Sequence, residues 1–250
     1  MNLMNVKRLL GKRAPGADRG SQAMPHPPED EPAPPAPVAM SELDRLAMVS
    51  GQHDQLSTGQ LQYHQEAELA MDYQWRDLIW PFIKDLDFRV VLDLAAGFGR
   101  NSAKLREHAG QLIVMDINQE CVEVCRKRFE SYPNVRCIKN DGATLKGIGD
   151  ATVTLVYCFD AMVHFDSDVV RSYLRESHRV VQPGGSCFFH HSNYTGQPGG
   201  TLAAPHNRNF MSKEMFAHYS MKSGFEVVRQ TVIDWGEYPN LDCFSVIRKP

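Results

Sequence analysis

From Val90 onward, short apolar runs alternate with segments of helical periodicity, and this alternation constrains the fold more than any other feature of the chain. Such apolar runs are typical of strands in a mostly parallel sheet that is covered by helices on both faces. The sequence therefore predicts an α/β fold with a doubly wound, mostly parallel sheet of seven strands. The predicted strands are Val90–Leu94, Gln111–Asp116, Val135–Lys139, Thr152–Cys158, Ser186–His191, Phe225–Val232 and Cys243–Ile247. The predicted helices are Asn101–His108, Gln119–Ser131, Asp166–Val181 and Ser212–Ser223.

Three regions of the chain differ in composition. Residues 1–40 include the segment "PHPPEDEPAPPAP", which stays extended, so we expect a disordered proline-rich tail. Residues 41–86 carry apolar residues at helical spacing, which predicts an N-terminal helical cap that Pro81 kinks or restarts. Residues 87–250 form the main domain. A membrane-surface helix over the first thirteen residues is the alternative to a plain tail, and we favour the tail because no second anchoring signal accompanies it.

Charge and cysteine content exclude several classes of function. The formal net charge of -3 at pH 7 argues against a protein that binds nucleic acid. No run of eighteen apolar residues and no secretory leader is visible, so we expect no integral membrane segment. The six cysteines do not have the spacing of a zinc finger. We interpret them as free thiols, which indicate a protein of the reducing cytoplasm.

The first strand leads into a glycine turn, "VVLDLAAGFGRNS", which is the first candidate for a binding site. Ligands of open α/β sheets bind at the carboxyl ends of strands, and Gly97 and Gly99 allow a ligand to approach the backbone closely there. The helix that follows offers N–H groups to a ligand. A plain strand-to-helix turn has the same sequence, so this motif alone leaves both interpretations open.

Two acidic residues favour a nucleoside ligand. Asp116 ends the second strand, where a carboxylate can accept hydrogen bonds from both ribose hydroxyls. Asp141 follows the third strand in "KNDG" and could accept from the amine of an adenine. The competing interpretation of Asp141 is an Asx-type turn, which Asp-Gly sequences often form. A nicotinamide cofactor is the competing ligand, but the turn lacks the third glycine of G-x-G-x-x-G.

Five segments carry a resemblance to one family: "VLDLAAGFGRNS", "VMDIN", "KNDG", "VYCFDAMVHF" and "RVVQPGGSCFFHHSNY". In their order and spacing, the chain from about Val90 to the C-terminus resembles the class I S-adenosylmethionine-dependent methyltransferases. The resemblance implies a Rossmann-like sheet whose last strand is antiparallel, S-adenosylmethionine as the cofactor, and methyl transfer as the reaction. Ala95 stands where that family usually has glycine, a departure that is tolerable if the φ of Ala95 is negative.

The resemblance also assigns residues to the parts of the cofactor. Asp93 would lie behind the turn and orient the methionine amino group through the backbone or a water. The other residues assigned to the methionine end and the adjoining ribose are Ala95, Gly97, Gly99, Phe159 and Asp160. The residues assigned to the ribose hydroxyls and the adenine are Asp116, Ile117, Asp141 and Gly142.

The reaction itself suggests further residues. Methyl transfer is an in-line displacement in which the protein mainly aligns donor and acceptor. An amine or hydroxyl acceptor must also lose a proton, which favours a nearby base. The first candidate for that base is His164, followed by His191 and then His190, although each has the alternative of an ordinary strand-end histidine. The aspartates of "DAMVHFDSD" raise the question of a metal ion, but a helix N-cap at Asp166 or Ser167 explains that spacing, so we expect no metal.

The acceptor is constrained by the segment after the fourth strand. "CFDAMVHF" lacks the Asn/Asp-Pro-Pro-Tyr/Phe motif of enzymes that methylate adenine or glutamine amides. Aromatic and polar residues of the cap and the late loops suit a small polar molecule such as a sugar; they are Trp75, His206, Trp235 and Tyr238. A non-catalytic module that binds the cofactor or a partner is the competing hypothesis.

Overall fold

The computed structural model describes residues 40–57, 66–199 and 207–250. The tail predicted over residues 1–40 therefore lies outside the described residues except for Met40, and His206 lies outside them too. The division at residue 40 stays a prediction.

Seven strands form one sheet: β1 (Val90–Leu94), β2 (Gln111–Asp116), β3 (Val135–Lys139), β4 (Val153–Cys158), β5 (Val181–Ser192), β6 (Glu226–Trp235) and β7 (Tyr238–Arg248). Their order is β3-β2-β1-β4-β5-β7-β6. The pairs from β3 to β5 are parallel, and β7 runs antiparallel to both β5 and β6. The predicted Rossmann-like sheet with an antiparallel last strand is confirmed. Strand order reverses between β1 and β4, and such a reversal opens a crevice at the carboxyl ends of the strands.

The first three predicted strands agree with the structure residue for residue, because each is an apolar run with polar or turn residues at its ends. The start of β5 differs from the prediction, which treated the "QPGG" segment as a bend before a strand at Ser186. The strand begins at Val181 instead, and a register shift between Val153 and Leu155 of β4 accommodates the glycines. The preceding helix consequently ends one residue earlier than predicted.

The helices that flank the sheet are α1 (Glu42–Ser57), α2 (residues 66–83), α3 (Arg100–Leu105), α4 (Gln119–Arg128), α5 (Ser167–Val180) and α6 (Lys213–Lys222). Side chains of the preceding residues accept hydrogen bonds from the first N–H groups of α4, α5 and α6; these residues are Asn118, Asp166 and Ser212. The predicted caps at Asp166 and Ser212 are confirmed. Such caps stabilise a helix by about 0.5–2 kcal/mol each.

Helix α2 changes its winding along its length. It is α-helical at residues 66–69 and Met71–Tyr73, widens to a π-helix over Gln74–Ile79, and returns to an α-helix at Trp80–Ile83. Pro81 is the second residue of this last part and has no N–H to donate to the widened turn before it. The interruption expected at Pro81 thus takes the form of a π-helix just before it.

Two hydrophobic cores fill the two faces of the sheet. One core contains Leu46 of α1 together with residues of α5 and α6. The other contains Ile79 and Ile83 of α2 together with residues of α3 and α4. The helical cap therefore supplies one helix to each face. In the parts of the chain that the structure describes, no helix has both the length and the apolar character that a membrane span requires.

Candidate active site

A cavity of about 520 Å³ opens at the carboxyl ends of β1, β2 and β4. This volume lies within the range of ligand sites in proteins. Both helices of the cap reach the cavity, α1 through Ser50 and α2 through Ala67 and Gln74. Eight of the twelve residues predicted for the site line it, namely Ala95, Gly97, Asp116, Ile117, Gly142, Phe159, Asp160 and His164.

The turn after β1 consists largely of residues in the left-handed region. The φ angles of Ala95, Gly97 and Gly99 are +58°, +55° and +80°. The φ of Ala95 is therefore not negative, and an alanine in this conformation costs about 1–2 kcal/mol. The turn holds this conformation through backbone hydrogen bonds, since the N–H of Ala96 donates to the Met115 carbonyl of β2 at 3.1 Å.

Asp116 connects the end of β2 to this turn. Its Oδ2 accepts from the N–H of Gly97 and its Oδ1 from the N–H of Asn118, both at 2.8 Å. A carboxylate has about four lone-pair sites, so one group has the capacity to hold the turn and to accept from ribose hydroxyls. Asp116 is 6% exposed and lines the cavity, as the prediction requires.

Asp93 lies behind the turn and is 1% exposed. The hydroxyl of Ser102 donates to its Oδ2 at 2.5 Å. Burial raises the pKa of Asp93 to about 7, the hydrogen bond from Ser102 opposes that rise, and the negative charge of Asp116 adds to it. Asp93 is not among the described residues of the cavity wall, so its influence on a ligand must pass through the turn.

Gly99 and Asp141 are likewise not among the described residues of the wall, in contrast to the prediction. A Cβ on Gly99 would lie 2.9 Å from Phe129 and 3.0 Å from Cys125, so this glycine permits close packing of the turn against α4. The carboxylate of Asp141 accepts from the N–H groups two and three residues further on, at 3.0 and 2.7 Å. Asp141 therefore forms the Asx-type turn that was its competing interpretation, and its assignment to the adenine amine stays a prediction.

The end of the cavity assigned to adenine is closed by contacts between α1 and the turn after β3. The hydroxyl of Ser50 donates to the Gly142 carbonyl at 2.7 Å. Gly142 has a φ of +81°, and a Cβ there would clash with Ile117 and lie 2.6 Å from Ser50. Asn140 lines the cavity beside them, and its Nδ2 donates to the Tyr173 hydroxyl at 2.8 Å. Asn140 was not among the predicted site residues, because the neighbouring Asp-Gly pair favoured Asp141 as the residue that binds the adenine amine.

An ion pair on the wall joins the first residue of α3 to the loop after β4. The guanidinium of Arg100 lies 2.6 Å from Oδ2 of Asp160, and each of the two side chains is 10% exposed. The same guanidinium donates to Oε1 of Gln74 at 2.7 Å and to the Ala67 carbonyl at 3.2 Å. Arg100 thus holds α2 against the cavity. It was not among the predicted site residues, because nothing in "GRNS" shows which partners a helix-opening arginine will meet.

His164 lies on the wall in the loop after β4. Its Nδ1 is 2.9 Å from the Asn207 carbonyl, which can only accept, so Nδ1 carries the proton and Nε2 keeps its lone pair. Burial lowers the pKa of His164 below its ordinary value, and the bond to the Asn207 carbonyl opposes that shift only in part. The ring is therefore neutral near pH 7 and has the protonation state of a general base.

The two histidines at the end of β5 face opposite sides of the sheet. His191 is fully buried on the far side, stacks on Phe216 with ring centroids 3.9 Å apart, and bonds to the Ser245 hydroxyl at 2.8 Å. Burial lowers the pKa of His191 to about 3. It does not belong to the described wall, and its assignment as a catalytic candidate is corrected. His190 lies on the cavity side, where its Nδ1 accepts from the Asp160 N–H at 3.2 Å.

A buried charge network that sequence reasoning missed lies beneath this part of the wall. Arg208 binds both carboxylate oxygens of Asp242, with Nε at 2.9 Å and a terminal nitrogen at 2.6 Å. Nε2 of His190 lies 3.0 Å from the same carboxylate. Burial alone would raise the pKa of Asp242, but the bonds from His190 and Arg208 outweigh it and hold that pKa at about 2. Arg208 is 2% exposed and still reaches the cavity wall.

The aspartates after β4 have partners that account for their spacing. Asp166 caps α5, and Asp168 lies 3.0 Å from Arg45 of α1. Among the residues that the structure describes, no group of three or more potential metal ligands comes together. The six cysteines are free, and five of them are buried.

Comparison with known proteins shows which family the sequence of this chain is similar to. Residues 91–185 match the family model described as a methyltransferase domain. Over these residues the chain is similar to the class I S-adenosylmethionine-dependent methyltransferases. An uncharacterised methyltransferase-like protein of Schizosaccharomyces pombe is 29% identical over 97 residues, which are 38% of this chain and 35% of that protein. A demethylmenaquinone methyltransferase of Clavibacter sepedonicus is 27% identical over 139 residues, which are 55% of each chain.

Solved structures share the fold of this chain. An S-adenosylmethionine-dependent methyltransferase from Mesorhizobium loti superimposes with a TM-score of 0.57 and 17% identity, and the match covers 72% of this chain and 100% of that one. At that identity the likeness is one of fold. The chain spans only about a third and about half of the length of the two curated relatives, so their activities do not transfer directly to this protein.

Proposed function

We propose that the protein transfers a methyl group from S-adenosylmethionine to a hydroxyl or amine of a small polar molecule, such as a sugar. One observation carries this proposal. A single cavity combines Asp116, which is tied to a glycine turn, with a neutral histidine whose Nε2 keeps its lone pair. The carboxylate of Asp116 and the glycine turn suit a nucleoside cofactor. The neutral histidine, His164, suits an acceptor that must lose a proton.

The residues around the cavity suit the cofactor in three respects. Asp116 accepts from the ribose hydroxyls while it holds the N–H of Gly97. The absence of a side chain on Gly142 lets Ile117 and Ser50 pack closely against the turn after β3, and these three residues form the wall at the end assigned to adenine. The turn from Ala95 to Gly97 forms the wall at the methionine end. When bound, S-adenosylmethionine supplies a methyl group on a sulfonium, which is an activated leaving group.

His164 acts on the acceptor as a general base. Its Nδ1–H is held by the Asn207 carbonyl, so the ring presents Nε2 and takes the acceptor proton there. Such a base contributes typically about 10²–10⁴-fold to a rate. The remaining contribution comes from alignment, because α2 is held across the cavity by Arg100 and restricts the positions open to the acceptor.

The acceptor is small and polar, and it is not an anion. The two arginines of the described wall each have a carboxylate partner, Arg100 in Asp160 and Arg208 in Asp242, so neither calls for an anionic substrate. Aromatic rings of Phe159 and Trp235 lie 6.1 Å apart on the same side and offer an apolar surface to a ring. The combination suits a hydroxylated ring. We also propose that the protein works without nucleic acid, and in the cytoplasm, where its six thiols stay reduced.

Calorimetry with S-adenosylhomocysteine is the first test. We expect binding to the wild type, and we expect Asp116→Ala to weaken it at least about a hundredfold, because two charge-assisted hydrogen bonds of the turn are lost with the ribose contacts. Titration with a nicotinamide dinucleotide should give no heat. If S-adenosylhomocysteine does not bind, the enzyme hypothesis fails.

Turnover is the second test. Metabolite extracts incubated with labelled S-adenosylmethionine should yield a labelled small molecule with the wild type and none with Asp116→Ala. With that acceptor, His164→Ala should lose about 10²–10⁴-fold in turnover while it binds S-adenosylhomocysteine normally. His218→Ala, in α6, is the matched control. Unchanged turnover in His164→Ala would leave methyl transfer in place and refute the base, whereas binding without any labelled product would favour a non-catalytic module.

A further inference from the structure

The loop that follows β4 is held at both of its ends by residues that are distant in sequence. At its start, the N–H of Asp160 donates to Nδ1 of His190 in β5 at 3.2 Å. At its other end, the ring of His164 bonds to the Asn207 carbonyl at 2.9 Å, and the side chain of Asn209 donates to the His164 carbonyl. The N–H of Asn209 also donates to the Val163 carbonyl at 3.2 Å.

The residues that hold the two ends of this loop are both connected to Asp242 in β7. His190 accepts on Nδ1 from a backbone N–H, so its ring proton is on Nε2 and is donated to the Asp242 carboxylate at 3.0 Å. Arg208 lies between Asn207 and Asn209 and binds both oxygens of that carboxylate. The fully buried carboxylate of Asp242 thus anchors two elements. One is the segment around Arg208, which orients His164, and the other is His190, which bonds to the Asp160 N–H.

Stability alone does not account for this arrangement. A buried ion pair loses solvation that its attraction often fails to recover, and apolar replacements of similar volume are frequently as stable. What the network does supply is fixed geometry. The bidentate contact sets the position of Arg208, and with it the direction of the neighbouring Asn207 carbonyl that decides which ring nitrogen of His164 carries the proton.

We propose that Asp242, acting through Arg208 and His190, is the positioning residue that fixes the ring of His164 with Nδ1 protonated and Nε2 facing the acceptor. This inference rests on the proposed role of His164 as the base. It assigns no contact between Asp242 and a ligand, and Asp242 is not among the described residues of the wall.

The test reads the tautomer of His164 directly and needs no acceptor. Long-range proton–nitrogen correlation spectra of uniformly labelled protein at pH 8 identify which ring nitrogen is protonated, with His164→Asn used for assignment. The wild type should show His164 protonated on Nδ1. Asp242→Asn should shift the ratio of the two tautomers about two- to tenfold toward the Nε2–H form, which is the effect expected when one hydrogen bond is weakened.

Two further variants keep the test decisive. Asp242→Asn leaves Arg208 without its carboxylate, and a buried charge without its partner destabilises the fold in itself. The double variant Arg208→Met with Asp242→Asn removes both charges, so we expect it to fold and to show the same tautomer shift. His191→Asn is the matched control, because His191 is adjacent and equally buried but bonds to Ser245 on the other side of the sheet. It should leave His164 unchanged.

Each outcome decides between distinct claims. Calorimetry with S-adenosylhomocysteine serves as the check on folding, and we expect less than about a tenfold loss of affinity in the double variant, since only a hydrogen bond near Asp160 is disturbed. If the folded double variant keeps His164 protonated on Nδ1, the positioning role is overturned. If S-adenosylhomocysteine does not bind the wild type, or wild-type His164 is protonated on Nε2, the proposed function or its base fails independently of Asp242.

Discussion

The buried carboxyl of Asp93 makes the stability of this fold depend on pH in a direction that can be worked out. Asp93 is 1% exposed behind the cofactor turn, and burial raises its pKa to about 7 from an ordinary value of 3.8. The hydrogen bond from Ser102 moderates this rise and the charge of Asp116 reinforces it. Asn has the same shape and no charge, so Asp93→Asn isolates the effect of ionisation.

The sign follows from which state holds the proton. Between pH 4 and pH 7 the folded protein keeps the Asp93 proton that the unfolded chain has released, so the unfolding free energy falls as pH rises through this window. The difference between about 7 and 3.8 is about 3 units, and at about 1.36 kcal/mol per unit the loss is about 4 kcal/mol. Asp93→Asn should lack this loss.

Urea unfolding at pH 5 and pH 8 measures the effect. Other groups also change the stability between these pH values, so the informative quantity is the difference between wild type and variant. The wild type should lose up to about 3 kcal/mol more than Asp93→Asn on going from pH 5 to pH 8. Asp85→Asn, a change at an exposed position after α2, is the control and should behave as the wild type. Equal pH dependence in wild type and Asp93→Asn would refute a proton held by Asp93.

Three further predictions concern the turns around the cavity. Ala95→Gly should raise the unfolding free energy by about 0.5–1 kcal/mol in urea unfolding, because glycine removes the left-handed strain at a φ of +58° and loses only part of that gain to chain entropy; a decrease would contradict this. Gly99→Ala should lower the unfolding free energy by about 2–3 kcal/mol in urea unfolding, because alanine is strained at a φ of +80° and its Cβ would lie 2.9 Å from Phe129. An unchanged unfolding free energy would contradict this and would show that Phe129 moves away at little cost. Asp141→Ala should change the calorimetric affinity for S-adenosylhomocysteine by less than about threefold, because its carboxylate bonds within its own turn, and a large loss would restore it to the adenine site.

The elements of this fold differ in how well the sequence predicts them. Strands β1 to β3 are apolar runs that end at charged or turn residues, so their bounds follow from composition alone. Helix ends are less certain, because the last turn of a helix can give way to a turn without any change of residue type. The helix predicted to Ser131 ends at Arg128 for this reason. The "QPGG" segment was misassigned because proline and glycine signal a turn, whereas here they lie within the extended start of β5.

The residues of the candidate site also differ in how well the sequence predicts them. Asp116 and Gly97 were predicted because both act within one strand–turn–helix unit, where spacing along the chain determines position in space. Asp141 has two uses that the sequence does not distinguish, because a hydrogen bond to its own turn competes with a hydrogen bond to a ligand. Gly99 is similar, because a glycine that admits a ligand and a glycine that admits a neighbouring helix look identical in sequence.

The charge network around Asp242 could have been predicted from the sequence if the register of the strands had also been known. Along β7, Asp242, Phe244 and Val246 share one face by simple alternation, and a charged residue on an otherwise apolar face calls for a buried partner. The partner becomes evident only from the register, in which His190 pairs with Phe244 and lies diagonally across from Asp242. Alternation likewise requires one of the two histidines of β5 to face the cavity side, but only the antiparallel pairing with β7 selects His190. A sequence that reveals the strands without their register therefore identifies the histidine pair and leaves its orientation undetermined.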